Sequence, residues 1–133
     1  MKTSKLSFET KMVNIEEGCG REQYRAFLYK VDGKGFEDND YNPADAFDVV
    51  DKEASDRSIV VLLHCGCGIW ECSSIIARVS ETKDGLIHWK VGHYRWDDTI
   101  SEFFFRKSEY EKTMVEIHKI AEEEIKRLEQ QAN

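Results

Sequence analysis

The chain has 133 residues, of which 41% are hydrophobic and 34% charged, with 19 basic and 26 acidic side chains. This length and composition predict one soluble domain over residues 1–133, large enough to bury a core without disulfides or a metal. The chain contains no apolar run of about 18 residues, which excludes a membrane-spanning helix. The N-terminal stretch has no apolar segment of the kind found in signal peptides, so we expect a cytoplasmic protein with reduced cysteines.

Charge is concentrated in one part of the chain. The 21 residues from Phe36 to Asp56 carry eight acids and one base, whereas the rest of the chain carries 18 of each. A focused negative patch repels nucleic acid, attracts basic partners and speeds their encounter. An equally simple interpretation is a solvated helix face beside an acidic loop.

Two strands are predicted near the N-terminus. Residues Leu6–Ile15 alternate apolar and polar side chains with a phase slip at Met12–Val13, which indicates a half-buried strand with a bulge. Tyr24–Val31 is rich in aromatic residues and is strand-like. Turns are expected at Glu16–Gly20 and Asp32–Gly35.

The next predicted elements are a short helix and a buried strand. Asn42 is a favourable N-cap and Pro43 suits the first helical position, so a helix is expected from there to Asp51. Ala46, Phe47, Val49 and Val50 are predicted to form its buried side. The continuous apolar run Ser58–Cys65 predicts a central strand covered on both faces.

The C-terminal half predicts a hairpin, a strand and a long helix. Asp84-Gly85 between Ser74–Ser80 and Leu86–Gly92 is a strong hairpin signal, and Glu102–Arg106 is a further strand. Ser108 and Glu111 have the spacing of a capping box. Glu122–Lys126 and Glu123–Arg127 are expected ion pairs on the helix that follows. Its apolar stripe consists of Tyr110, Met114, Ile117, Ala121, Ile125 and Leu128.

These elements predict an α+β fold. We expect a mainly antiparallel sheet of about five to six strands, with one short helix and a long C-terminal helix packed on it.

The segment His64–Cys72, HCGCGIWEC, contains three of the four cysteines. Thiolates of Cys65, Cys67 and Cys72, with His64, Cys19 or His93 as the fourth ligand, are one possible zinc site. The spacing lacks the paired CxxC pattern of structural zinc sites, and no recognised Cys/His catalytic signature is present. The favoured interpretation is a strand, a tight connection and a second strand, with buried cysteines and Trp70 as an aromatic plug.

Histidines outside this segment have simple interpretations. His88 and Trp89 alternate in a strand, so one is expected to face inward and the other outward. The cluster of His93, Tyr94, Arg95 and Trp96 is either a partner surface, since such residues anchor interfaces, or a lid over the core. His118 is expected on the polar side of the last helix.

The apolar strand from Ile59 is followed by C-x-C-G, a third cysteine, a hairpin, a tryptophan, a basic loop, an F-x-F strand and a tyrosine-led helix. In this order of motifs, from Ile59 to about Tyr110 and about two-fifths of the chain, the sequence resembles a group of small bacterial proteins with no known activity. The resemblance implies that the cysteine stretch is a fold signature, and it implies no activity. The group has glycine before the third cysteine and a bulky residue after it, where this chain has Glu71 and Ser73. The loop around His93 is also shorter here. The matching residues are Cys65, Cys67, Gly68, Cys72, Trp89, His93, Arg95, Phe103, Phe105 and Tyr110.

The sequence therefore favours a non-enzymatic protein-binding protein without a cofactor. The most specific form is an immunity or antitoxin-type protein that neutralises a basic toxin, such as a nuclease domain, without itself binding nucleic acid or membranes. One alternative is a zinc-binding module built on Cys65, Cys67 and Cys72, and another is a small enzyme with a Cys/His centre. The expected partner-binding residues are Glu37, Asp38, Asp40, Asp45, Asp48 and Asp51.

Overall fold

A computed structural model describes residues 2–14, 23–38, 40–51, 58–65 and 73–131. This part of the chain forms two antiparallel sheets and two helices, so the predicted α+β class is confirmed. In chain order the elements are β1 (Leu6–Asn14), β2 (Gln23–Val31), β3 (Lys34–Gly35), β4 (Tyr41–Pro43), α1 (Ala46–Val50), β5 (Ile59–Cys65), β6 (Ser74–Glu81), β7 (Leu86–His93), β8 (Ser101–Arg106) and α2 (Lys107–Gln131).

The smaller sheet has the order β1-β2-β3, and the first two strands pair along their whole length. Leu6 lies opposite Val31 and Asn14 opposite Gln23, with continuous register between them. The phase slip at Met12–Val13 is therefore not a bulge, and the prediction of one was wrong.

The larger sheet has the order β4-β5-β6-β7-β8. β6 and β7 form the predicted hairpin, and Gly85 takes a φ of 81°, a conformation that glycine adopts without a steric penalty. Five consecutive residues of β5 are buried, which confirms that this strand is covered on both faces. It is second in the sheet, however, and β6 lies in the middle.

The start of α1 differs from the prediction. Asn42 and Pro43 belong to β4, where they pair with His64 and Leu63, and Asp45 is the N-cap of the helix. Pairing with a strand some 20 residues away overrides the local capping signal. Phe47, expected in the core, is 41% exposed.

Helix α2 packs against the sheets mainly as predicted. Tyr110, Ile117 and Ala121 are buried, and Glu124 is buried within the same stripe. Arg127 donates from Nε to Glu124 and not to the expected Glu123. The helix begins at Lys107, so Ser108 lies inside the first turn and is not the predicted N-cap.

One hydrophobic cluster joins the two sheets and both helices. Trp89 is fully buried near its centre, and its ring contacts those of Tyr29, Phe105 and Tyr110 edge-on. His88, its neighbour in β7, is half-buried and stacks on Phe104, so the predicted alternation is confirmed. Neither described helix combines the length and the apolar composition needed to cross a bilayer.

Candidate protein-binding surface and a buried aspartate–histidine pair

The six acidic residues expected to bind a partner occupy two different environments. Glu37, Asp38 and Asp40 are exposed in the loop between β3 and β4, and Asp51 is half-buried after α1. Asp45 and Asp48 are buried, with only 4% and 5% of their surface exposed. Placing these two aspartates on a partner-binding surface was therefore wrong.

The buried carboxylates of Asp45 and Asp48 have hydrogen-bond partners because the two residues cap α1 reciprocally. The Asp45 carboxylate accepts a hydrogen bond from the backbone N–H of Asp48, and the Asp48 carboxylate accepts one from the backbone N–H of Asp45, both at 2.9 Å. Such a capping box satisfies two amide groups that the first turn of a helix leaves without partners.

Asp48 also holds His64, which lies in the buried run of β5. His64 Nδ1 and Asp48 Oδ2 are 2.5 Å apart, and only 2% of the His64 side chain is exposed. Burial raises the pKa of Asp48, whereas the hydrogen bond with His64 acts in the opposite direction. The hydrogen bond thus gives a partner to His64 Nδ1 and to one carboxylate oxygen of Asp48 inside the core.

Two polar atoms beside this pair have no hydrogen-bond partner in the described part of the chain. They are His64 Nε2 and Ser74 Oγ, and both are fully buried. His64 lies directly opposite Ser74 in the β5–β6 pairing, so the two residues are neighbours. Buried polar atoms are almost always hydrogen bonded, so this position requires a physical explanation.

Oxygen atoms of Asp45 and Asp48 and a ring nitrogen of His64 lie within 4.8 Å of one another. The capping box and the Asp48–His64 hydrogen bond already explain this proximity. The cluster by itself therefore does not indicate a metal.

The exposed acidic loop consists of Glu37, Asp38 and Asp40. Asp38 Oδ1 accepts the backbone N–H of Asp40, and the Asp38 carbonyl accepts that of Tyr41. Within the described residues none of the three carboxylates makes an ion pair. They are therefore available to cationic groups from outside the chain.

An aromatic cluster of Tyr41, His93 and Trp96 begins directly after the acidic loop. The His93 ring lies 6.1 Å from that of Tyr41 and 4.3 Å from that of Trp96, between ring centres. Trp96 is 61% exposed, which favours a surface role for this segment over the alternative of a lid on the core. The fold thus brings two sequence-predicted regions, the acidic loop and the His93–Trp96 segment, into one area.

His93 is held in place by Asp98. The Asp98 carboxylate accepts hydrogen bonds from the His93 backbone N–H at 2.8 Å and from Nδ1 at 2.6 Å. The hydrogen bond from the His93 side chain lowers the pKa of Asp98. Gly92 makes this loop possible, because a Cβ atom there would lie 2.3 Å from the Asp98 carbonyl oxygen.

Of the cysteines, only Cys65 lies among the described residues, half-buried at the end of β5. Cys19, Cys67, Cys72 and Trp70 lie outside them, so the proposed packing and zinc roles of this stretch stay predictions. His64 and Cys65 are adjacent in a strand, which directs their side chains to opposite faces.

Comparison of the chain with protein-family models, with curated proteins and with solved structures finds no match. The resemblance to the bacterial group therefore stays a prediction, and any functional argument depends on the geometry described above.

Proposed function

We propose that this chain is a non-enzymatic protein-binding protein, of the immunity or antitoxin type, that neutralises a basic toxin in the cytoplasm. The observation that supports this proposal is an exposed acidic loop that makes no ion pair with the described part of the chain, continuous with an aromatic cluster whose Trp96 is exposed. Interfaces commonly combine aromatic anchors with a charged rim, so the two features suit one surface.

The acidic loop and the aromatic cluster have different roles in this proposal. Glu37, Asp38 and Asp40 act as phosphate mimics that attract the Lys and Arg side chains of a nucleic-acid-binding cleft. Tyr41 and Trp96 supply the contact area that is dehydrated on binding, with His93 held between them. The acids then mainly control the association rate, and the aromatic residues mainly control the dissociation rate.

The test is a binding experiment with a basic protein encoded immediately upstream, because immunity genes follow the genes of their toxins. We expect the association rate constant to fall steeply as salt rises, since screening weakens long-range attraction. Replacing Glu37→Gln, Asp38→Asn and Asp40→Asn together should lower that rate constant about tenfold at low salt and remove most of its salt dependence. Trp96→Ala should instead raise the dissociation rate constant.

The matched control is a second triple variant, Glu116→Gln, Glu123→Gln and Glu129→Gln, which removes the same charge from exposed positions of α2. If both triple variants slow association equally, net charge and not the acidic loop is responsible. An association rate that does not depend on salt would refute the acidic-surface mechanism.

A zinc-binding module is a second candidate, and one observation favours it. His64 Nδ1 is held by Asp48, while Nε2 is buried and has no partner among the residues that the structure describes. Histidines that bind zinc commonly donate their other ring nitrogen to a carboxylate in this way. The candidate ligands are His64 with Cys67 and Cys72. Strand alternation directs Cys65 away from His64, so Cys65 could bind zinc only in a ligand set that does not include His64.

Metal analysis by mass spectrometry, on protein purified without chelator or a histidine tag, tests this candidate. About one zinc per chain is expected if it is correct, with loss of metal and stability in His64→Gln and Cys67→Ser. His88→Gln is the matched control, because His88 is a half-buried histidine on β7. Metal-free protein, or full zinc content in both variants, would rule the module out.

A further inference from the structure

A cavity of about 860 Å³, open to solvent along α2, lies between α1, α2, β2 and the five-stranded sheet. This volume is within the range of small-molecule sites, about 300–1,000 Å³. Its walls are mostly apolar and come from three layers of the fold. They include Val49 of α1, Met114 of α2, and Ile59, Val79 and Ile87 of the sheet.

Three buried polar residues are part of the same lining: Tyr29, Asp48 and Tyr110. Tyr29 and Tyr110 lie near each other, since both rings pack edge-on against Trp89. The charge of Asp48 adds to the effect of burial in raising the pKa of Tyr29. Burial also raises the pKa of Tyr110 to about 12. Both phenols therefore stay protonated at neutral pH and can donate hydrogen bonds.

Each of these three side chains retains hydrogen-bonding capacity. The hydrogen bonds that Asp48 accepts from Asp45 and His64 both end on Oδ2, so Oδ1 can still accept. The Tyr110 oxygen accepts from Trp89 Nε1 at 3.0 Å, which leaves its own O–H free to donate. The Tyr29 hydroxyl forms no hydrogen bond with another described residue.

We propose that this cavity binds an uncharged apolar molecule that carries one hydroxyl group, of the phenol class. A hydroxyl both donates and accepts, so it can donate to Asp48 and accept from Tyr29 or Tyr110. An anionic head is disfavoured because Asp48, Glu111 and Glu122 outnumber Lys119 in the lining. The proposal does not depend on the acidic loop or on zinc.

The test compares three ligands that share one apolar body: 4-hexylphenol, hexylbenzene and 4-hexylbenzoate. Isothermal titration of the full chain should give measurable binding of 4-hexylphenol. Hexylbenzene should bind roughly fivefold more weakly, because it lacks the hydrogen-bonding head. Binding of 4-hexylbenzoate should be weaker still.

Tyr29→Phe should remove most of the preference for the phenol over the hydrocarbon, because it deletes one hydroxyl and leaves the ring in place. Met114→Trp should weaken both ligands by filling the cavity. Tyr24→Phe is the matched control, because its hydroxyl donates to the Pro43 carbonyl outside the cavity and its loss should change neither affinity. Thermal unfolding of each variant confirms that it is folded.

Several outcomes would overturn the proposal. Equal affinity for all three ligands would show that the cavity binds apolar molecules without using its polar groups. Tighter binding of the benzoate would show that Asp48, Tyr29 and Tyr110 do not select a neutral hydroxyl group. Absence of phenol binding up to its solubility limit would exclude the site itself, a result that uses only the unmodified chain. An unchanged phenol preference in Tyr29→Phe would refute the assigned hydrogen bond.

Discussion

The described part of the chain contains two aspartate–histidine pairs of nearly equal length in different surroundings. Asp48 and His64 lie 2.5 Å apart in the core, and Asp98 and His93 lie 2.6 Å apart in a half-exposed loop. The aspartate pKa is raised in the first pair and lowered in the second. The distance between the two side chains therefore does not determine whether the pKa of the aspartate is raised or lowered.

Burial explains the difference between the pairs. In the core, loss of hydration is the largest effect on Asp48, and the hydrogen bond with His64 offsets only part of it. In the loop, 35% of the Asp98 side chain is exposed, so the hydrogen bond from His93 dominates. The first pair is thus a structural element of the core, whereas the second orders a surface segment.

The largest expected difference between the pairs is in stability. Asp48→Ala removes one partner of a buried pair together with half of the capping box, so it should lower the free energy of unfolding by about 3–5 kcal/mol. Asp98→Ala should cost at most about 1 kcal/mol, because solvent screens the exposed pair. Urea unfolding measures both, and similar losses would contradict the distinction.

A second prediction concerns Gly92, which allows the loop with the His93–Asp98 pair to pack closely. Gly92→Ala places a Cβ atom against the Asp98 carbonyl, so strain should lower the free energy of unfolding by about 1–3 kcal/mol. The displaced loop should also lose the His93–Trp96 contact, which can be followed by tryptophan fluorescence. Gly33→Ala is a useful contrast, because the open space there contains no such clash, only a positive φ.

The smallest effect is a difference in the pH dependence of stability. The raised pKa of Asp48 means that the native state holds its proton more tightly, so its contribution should fall as pH rises above the ordinary value of about 3.9. The lowered pKa of Asp98 has the opposite sign, and its contribution should fall as pH drops below that value. The two contributions are separated by urea unfolding of the parent chain and of the variants Asp48→Asn and Asp98→Asn over pH 3 to 6. If both variants changed the pH slope of the free energy of unfolding in the same direction, the assignment would be contradicted.

Elements determined by local chemistry could be predicted from the sequence. The Asp84-Gly85 hairpin, the covered strand β5 and the buried stripe of α2 depend on turn residues and on periodicity, and all three are present. The start of α1 could not be predicted in this way. The capping potential of Asn42 competes with pairing to His64, a residue that is distant in the chain.

The candidate site was only partly predictable for the same reason. Exposure of Glu37, Asp38 and Asp40 follows from their polarity, but burial of Asp48 depends on His64, 16 residues later. One signal could have indicated it: a histidine inside the apolar run VVLLHC needs a buried partner, because burying a polar ring without one is costly. Phe47 is the opposite case, a hydrophobic side chain that is 41% exposed. Hydrophobicity alone therefore does not place a side chain in the core.

The sheets are also linked at their borders, which has a consequence for association. Ser4 bridges to Phe105 of β8, and Phe27 of β2 bridges to Ala44 just after β4, so both outer strands of the larger sheet have hydrogen-bonded neighbours. A proline in β4 further reduces the donors that this strand can offer. Outer strands with free backbone groups are templates for intermolecular β-pairing and aggregation. The two bridges shorten the run of free backbone groups along β4 and β8, which should weaken edge-to-edge pairing of the larger sheet between molecules.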